Sequence, residues 1–167
     1  AQHLVFVGRL VAGKGWRTFI DAVIELRRRG IAVTGSIVGG GPDAELVREA
    51  APAYVNVMGQ LAPGAVATEL QGAILVNPSV LPEGLQLTVQ EGIAAGGRVV
   101  SYPVPSARAL FADAAPITLT EPNLDALIEG LVARIKDPGE AYPRERLTQW
   151  SWAARAAQFE RIALELY

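Results

Sequence analysis

The segment HLVFVGRLVAGKGWRTFIDAVIELRRRG, residues 3–30, carries the pattern of a strand, a glycine-containing loop and a helix, in that order. Its first residues are mostly apolar, as in a buried strand. Beyond the loop, large apolar residues recur at i, i+3, i+4 and i+7 from Trp16 to Val23, which predicts a helix with one buried face. Gly30 then supplies the signal that ends a helix. The segment therefore predicts one strand–loop–helix unit.

The alternation of strands and helices continues along the chain. Further strands are predicted at residues 31–39, 54–59, 73–79, 98–104 and 115–120. Further helices are predicted at residues 42–50, with Pro42 at the first helical position, and at 64–71, 85–96, 124–135 and 151–166, the last capped by Ser151. Strands joined by helices run parallel, because each connection crosses back over the sheet. We therefore predict one α/β domain over residues 1–167, with three α/β/α layers and a mostly parallel sheet of about six strands.

Composition and charge exclude several classes of protein. The 167 residues are 50% hydrophobic and 19% charged, as in a globular domain. A net charge of −2 lacks the excess of positive charge that is typical of proteins that bind nucleic acid or an anionic membrane. The absence of cysteine excludes disulfides and thiolate zinc sites, and the apolar runs are too short to span a membrane. His3, the single histidine, lies beside the chain start and is predicted to be exposed. The composition does not exclude a metal site made only of oxygen ligands.

In a parallel sheet, ligands bind at the carboxyl ends of the strands, so the loops that lead into the helices are candidate sites. The first loop, GRLVAGKG (8–15), is nearly a Walker A motif, with its glycines and Lys14 in register. Gly15 stands where that motif needs Ser or Thr for magnesium, and no strand ends in a Walker B Asp, which disfavours a P-loop NTPase. Two alternatives stay open: Arg9 and Lys14 bind a phosphate, or the loop is solvated and its cations are incidental.

The second glycine loop, GGGPDAEL (39–46), fits the dinucleotide-binding fingerprint poorly, because Ala44 occupies the third glycine position. Asp43 and Glu45 favour the helix dipole and would repel a phosphate. The pattern favours a tight turn whose glycines let a flat base approach, with a dinucleotide site as the alternative.

The stretch PEGLQLTVQEG (82–92) contains two glutamates after the strand at 73–79. If the chain is helical from Leu85, Glu83 and Glu91 stand about 12 Å apart along the helix axis. Paired glycosidase carboxylates stand roughly 5 to 9.5 Å apart, so an acid–base pair is disfavoured. The two groups instead suit the two ends of an elongated, hydroxyl-rich ligand. The alternative is a helix cap at Glu83 and an exposed surface residue at Glu91.

The predicted start of a helix lies between these two glutamates. Its free N–H groups at Gly84, Leu85 and Gln86 would receive an anion, and Thr88 adds a hydroxyl donor. The positive charge that balances the nearby acids would come from the two cations of the first loop. A ligand with a hydroxylated end, a central pyrophosphate and a second hydroxylated end has the shape of a nucleotide sugar.

Five segments of the chain form an ordered set of landmarks: VGRL and KG (7–15), IVGGGP (37–42), VMGQL (57–61), ILVNPSVLPEGLQLTVQEGIAAG (74–96) and IKDPGE (135–140). In this order they resemble the landmarks of the group 1 (family 4) retaining glycosyltransferases. The match is to the C-terminal, donor-binding half of the GT-B fold, and its most specific element is E-x7-E after Pro-Ser. The resemblance implies a Rossmann-like domain that binds a nucleoside diphosphate sugar and needs no cofactor or bound metal.

The resemblance also implies a role for each matching residue. Arg9 and Lys14, in the loop that begins at Gly8, would bind the donor diphosphate and stabilise it during the reaction. Glu83 would hydrogen-bond hydroxyls of the donor sugar, and Glu91 would bind the ribose hydroxyls. Main-chain contacts are implied for the base at Met58 and Gln60, and for the sugar and phosphate at Leu85, Gln86 and Leu87.

In this family an N-terminal domain faces the donor-binding domain, binds the acceptor and carries the active-site histidine. We expect that half to be missing here, because the chain enters a strand at once and His3 lies in the wrong domain. Two departures bear on the donor: Gln86 stands where the family has glycine, and PVPSA (103–107) replaces its usual Gly-Gly. We expect a cytoplasmic protein, with any membrane contact made by the missing half, and a fragment that is inactive alone.

Overall fold

The computed structural model describes residues 1–82, 87–103 and 117–139, and single positions at 148, 151, 153, 154, 156, 157 and 160. Six strands and five helices lie within these residues. The strands are β1 (Gln2–Val7), β2 (Val33–Val38), β3 (Val55–Gly59), β4 (Ile74–Asn77), β5 (Arg98–Ser101) and β6 (Ile117–Leu119). The helices are α1 (Trp16–Arg28), α2 (Ala44–Ala50), α3 (Pro63–Leu70), α4 (Leu87–Ala94) and α5 (Leu124–Lys136).

These elements confirm the predicted alternation as far as residue 136, with ends shifted by a few residues. The helix predicted at 151–166 falls mostly outside the described residues. At its start, the backbone N–H of Ala154 donates to the Ser151 hydroxyl oxygen at 3.1 Å, as the predicted cap requires.

The six strands form one sheet in the order β3-β2-β1-β4-β5-β6, and every neighbouring pair is parallel. The chain moves outward from β1 to β3 and then returns to β4, on the other side of β1. The carboxyl ends of all six strands therefore meet at one edge, and the boundary between β1 and β4 is the topological switch point. Ligands of open parallel sheets bind at such a point.

Helices cover both faces of the sheet, because alternate side chains of a strand point to opposite sides. On β1, Leu4 and Phe6 belong to a core with buried residues of α1, α2 and α5. Val5, between them, belongs to a second core with buried residues of α3 and α4, such as Val89. The predicted three-layer α/β/α architecture is confirmed.

The prediction that Pro42 takes the first helical position is wrong. Helix α2 begins at Ala44, and Pro42 lies in the turn before its N-cap, Asp43. Asp43 does not cap the helix with its side chain: its Oδ2 accepts a hydrogen bond from Trp16 Nε1 at 2.9 Å. Its backbone N–H donates to the carbonyl of Leu10 at 3.0 Å. These contacts hold the turn against the loop after β1, so tertiary contacts delay the start of the helix.

The prediction that His3 is exposed is also wrong. Its Nδ1 lies 2.9 Å from Thr34 Oγ1 on β2, and its Nε2 lies 2.9 Å from Glu69 Oε1 on α3 and 3.1 Å from Ser36 Oγ. Strand pairing and α3 bring these partners to His3 from distant parts of the sequence. Hydrogen bonds from Ser36 and then from His3 hold the pKa of the Glu69 carboxyl below its usual range, although partial burial opposes them. This cluster ties α3 to the sheet.

We predict that Glu69 makes the stability of the fold depend on pH. Because its folded-state pKa is lowered, the carboxylate stabilises the fold fully above the usual glutamate pKa of about 4.3. That stabilisation disappears as the pH falls through the folded-state pKa. Glu69→Gln should lower the free energy of unfolding at neutral pH by about 1–2 kcal/mol, and the difference from the wild type should shrink in acid. Urea denaturation over a pH series measures both.

Glu49→Gln is the matched control for this experiment. Glu49 is exposed on α2 and makes no hydrogen bond or ion pair with the described residues. Its variant should keep the stability of the wild type at each pH. A loss for Glu69→Gln that stays constant across the pH series would contradict the assigned role of the carboxylate.

The loops after β1 and β4 pack against each other at the switch point. The backbone N–H of Val80 donates to the Gly13 carbonyl at 2.9 Å. Gly15, the N-cap of α1, has a φ of +86°, and a Cβ on it would collide with the carbonyl oxygen of the buried Pro78. Only glycine satisfies both the backbone angle and the close approach.

We predict that Gly15→Ala destabilises the fold more than Gly30→Ala. Both glycines have positive φ, +86° and +79°, so each substitution adds backbone strain of about 1–2 kcal/mol. No atom lies within 4 Å of a Cβ built on Gly30. Gly15→Ala adds a collision with backbone, which costs roughly 1–3 kcal/mol more. Urea denaturation of the two variants measures the difference, and equal losses would argue against the close approach.

Candidate functional site

The loops after β1, β2 and β3 are joined by backbone hydrogen bonds at the carboxyl edge of the sheet. The N–H of Gly8 donates to the carbonyl of Val38 at 3.0 Å, and the N–H of Gly39 donates to the carbonyl of Gly59 at 2.8 Å. Glycines thus form much of the surface where these loops meet, and backbone is exposed there in place of side chains. A flat ring can approach such a surface closely.

A pocket of about 420 Å³ opens over this glycine surface. It is lined by Val7, Gly8, Arg9, Val38, Gly39, Gly40, Gln60, Leu61 and Val66. Three of the predicted donor-binding residues, Gly8, Arg9 and Gln60, therefore share one pocket. Met58, on β3, is 42% exposed and does not line it. We call this cavity the glycine-floored pocket.

Arg9 and Lys14 both lie in the loop that leaves the carboxyl end of β1, beside the switch point. Arg9 is exposed, and its guanidinium makes no hydrogen bond or ion pair with the part of the chain that is described. Lys14 is half-buried, and its backbone N–H donates to the carbonyl of Val11 at 3.2 Å. The loop thus brings one available positive charge to the edge of the glycine-floored pocket.

Helix α4 carries the other predicted residues that the structure describes. Val89 and Ile93 are buried against the sheet, whereas Leu87 is 52% exposed and Glu91 is exposed. Thr88 is half-buried in the first described turn. Because β4 lies next to β1, this helix follows the strand on the other side of the switch point from Arg9. Four predicted residues of the preceding loop, Glu83, Gly84, Leu85 and Gln86, lie outside the described residues.

Two further cavities flank the segment Pro78–Pro82. One, of about 480 Å³, lies against the start of α1 and includes Trp16, with the Arg17 guanidinium 4.6 Å from the centre of its ring. The other, of about 470 Å³, includes Tyr102, whose pKa is raised by burial. Neither is lined by a predicted donor-binding residue, so the glycine-floored pocket is the cavity in which such residues come together.

Sequence reasoning missed the apolar wall of this pocket. Leu61 and Val66 come from the loop before α3 and from α3 itself, and Val7 and Val38 end two strands. An apolar residue at the end of a strand or on a short helix also fits a core position, so its type alone gives no signal of a ligand. Only the sheet order places these residues together.

The structure also bears on the alternatives to a nucleotide-sugar site. None of the six described strands ends in Asp, the residue that a Walker B motif needs. Among the described residues, no group of three or more His, Cys, Asp or Glu is placed to hold a metal ion. The helices in the described ranges are also too short or too polar to cross a membrane.

Comparison with solved structures finds glycosyltransferases of similar fold. Sucrose-phosphate synthase from Thermosynechococcus elongatus matches 99% of this chain with a TM-score of 0.80 and 23% identity. HepE from Anabaena, solved in complex with UDP and glucose, matches 81% of it with a TM-score of 0.69 and 21% identity. The catalytic domain of cholesterol-α-glucosyltransferase from Helicobacter pylori matches 93% of it with a TM-score of 0.64 and 16% identity.

At these identities the likeness establishes the fold, which is a Rossmann-like domain of the GT-B type. The chain spans only 45% of the sucrose-phosphate synthase and 39% of HepE, but 99% of the Helicobacter catalytic domain. A comparison with curated protein sequences finds no match. The family model described as "Glycosyl transferases group 1" matches residues 1–137, which is most of the chain. The chain therefore belongs to the group 1 glycosyltransferases.

Proposed function

We propose that this chain is the donor-binding domain of a retaining glycosyltransferase, which transfers a hexose from a nucleoside diphosphate sugar to an acceptor hydroxyl. The observation that carries the proposal is the glycine-floored pocket at the carboxyl edge of the sheet. It brings Gly8, Arg9 and Gln60 together beside the switch point, where open parallel sheets bind nucleotides. HepE, a protein of similar fold, was solved with UDP and glucose, and this supports a nucleotide-sugar donor.

In this proposal the donor lies along the carboxyl edge, from the glycine-floored pocket to the start of α4. The base occupies the pocket, the diphosphate passes Arg9 and Lys14, and Glu91 binds the ribose hydroxyls. Glu83 hydrogen-bonds the sugar, and the backbone of Gly84, Leu85, Gln86 and Leu87, with the Thr88 hydroxyl, receives the sugar and phosphate. This path suits a diphosphate, because positively charged side chains and the start of a helix each favour an anion.

The contribution of this domain to the reaction would be electrostatic. Negative charge builds on the nucleoside diphosphate as its bond to the sugar breaks. Arg9 and Lys14 would stabilise that charge in the transition state more than in the ground state, and this lowers the barrier. Acceptor binding and the rest of the active site would come from a partner, the N-terminal domain of the family. We therefore expect this chain to bind donor weakly and to turn over nothing by itself.

We predict that titration calorimetry with UDP, ADP and GDP, and with their sugars, detects binding of at least one nucleotide at millimolar concentration. Glu91→Ala should weaken the binding of a nucleoside diphosphate about tenfold or more, since it removes a charged hydrogen-bond partner of the ribose. Glu83→Ala should weaken mainly the binding of the nucleotide sugar and leave the binding of the nucleoside diphosphate nearly unchanged. Glu49→Ala, at an exposed glutamate of α2 that does not line the glycine-floored pocket, is the matched control and should change neither affinity.

The outcomes separate this proposal from its two rivals. A P-loop nucleotide-binding domain would need magnesium, so loss of binding on addition of EDTA would favour it. A non-catalytic Rossmann-type interaction module would bind no nucleotide. The absence of any heat of binding with every ligand would favour this second rival. Equal losses for a nucleoside diphosphate and its sugar in both glutamate variants would contradict the division of roles.

A further inference from the structure

The polar groups of the glycine-floored pocket are few. Its floor is backbone at Gly8, Gly39 and Gly40, and its walls are aliphatic. Only two of its lining residues, Arg9 and Gln60, have polar side chains, and no carboxylate lines it. A base in this pocket would therefore meet one charged group, which the proposed function assigns to the diphosphate, and one amide.

The Gln60 amide oxygen lies beside Gly40, at the floor of the pocket. Gln60 follows Gly59, the last residue of β3, and its side-chain oxygen Oε1 lies 3.9 Å from the position that a Cβ on Gly40 would take. Gln60 is exposed, and its amide makes no hydrogen bond with the described residues. Its donor and its acceptor are thus both available to a ligand that lies on the glycine surface.

We propose that the Gln60 side chain reads the base of the donor through one adjacent donor and acceptor on its edge, and that it selects uracil or adenine over guanine, whose edge carries a second donor beside that pair. This inference rests on the proposed function and deepens it. It also replaces the purely main-chain contact that the family resemblance implies at this position. A glutamine amide presents one acceptor and one donor group side by side, and these pair in two hydrogen bonds with such an edge.

Guanine fits the lining of this pocket less well. Its N1–H and 2-amino group are adjacent donors, and the partner that accepts from both is a carboxylate, which the pocket lacks. Pairing of Gln60 with O6 and N1–H would leave the 2-amino group without an acceptor among the lining side chains. An unpaired polar group removed from water weakens binding. The polar side chains that line the pocket therefore disfavour a guanosine diphosphate sugar.

The test compares UDP, ADP and GDP by titration calorimetry on the whole chain and on Gln60→Ala. In the wild type, UDP or ADP should bind about tenfold more tightly than GDP, the discrimination expected of a two-bond contact to a base. Gln60→Ala should remove that preference while some affinity from the diphosphate remains. Gln71→Ala is the matched control, because Gln71 is exposed at the other end of α3 and should keep the preference.

Gln60→Glu makes the test sharper, because it replaces the donor of the amide with a second acceptor. Its charge repels every diphosphate alike, so the ratio of affinities is the quantity to compare. That ratio should shift toward GDP, whose two adjacent donors face a carboxylate. A wild type that prefers GDP would overturn the inference and would point to Arg9 as the reader of guanine.

Two other results would also overturn the inference. Equal effects of Gln60→Ala on all three nucleotides would show that the side chain does not read the base, and the proposed function would stand without it. If the wild type bound none of the three nucleotides, the proposed function and this inference would fail together.

Discussion

The close packing of the loop after β1 against the loop after β4 fixes the position of the first loop at the carboxyl edge of the sheet. Gly15 approaches the Pro78 carbonyl so closely that no side chain fits between them, and Gly13 accepts a hydrogen bond from Val80. The parallel sheet makes β1 and β4 neighbours, although β2 and β3 separate them along the chain. The cations of the first loop and the start of α4 therefore lie on the two sides of one junction.

A second set of loop contacts, on the other side of β1, explains why the pocket has a backbone floor and few polar side chains. Hydrogen bonds between the loops after β1, β2 and β3 leave glycines at the surface, and the strand ends and α3 supply apolar walls. Such a cavity suits a flat base, while the charge needed for a diphosphate stands at its edge on Arg9. In the proposed function, recognition and electrostatic stabilisation come from adjacent parts of one edge of the sheet.

Sequence patterns predicted the elements well because they are local. The spacing from Trp16 to Val23 and the short apolar runs depend only on neighbours along the chain, and the helices and strands confirm them. The contacts of His3 could not be predicted, since its partner Glu69 is 66 residues away. Pro42 stays outside α2 because the turn is held by a different loop. The apolar wall of the pocket at Leu61 was missed because only the order of the strands in the sheet brings its residues together.

The central claim is that a donor nucleotide binds along the carboxyl edge on both sides of the switch point. Amide chemical shifts of the 15N-labelled chain, measured during titration with UDP, ADP and GDP, test it most directly. The account predicts that the largest changes fall in three segments, residues 8–15, 59–61 and 87–91. Changes centred on the opposite edge, around His3 and Glu69, or on the cavity at Tyr102, would contradict it.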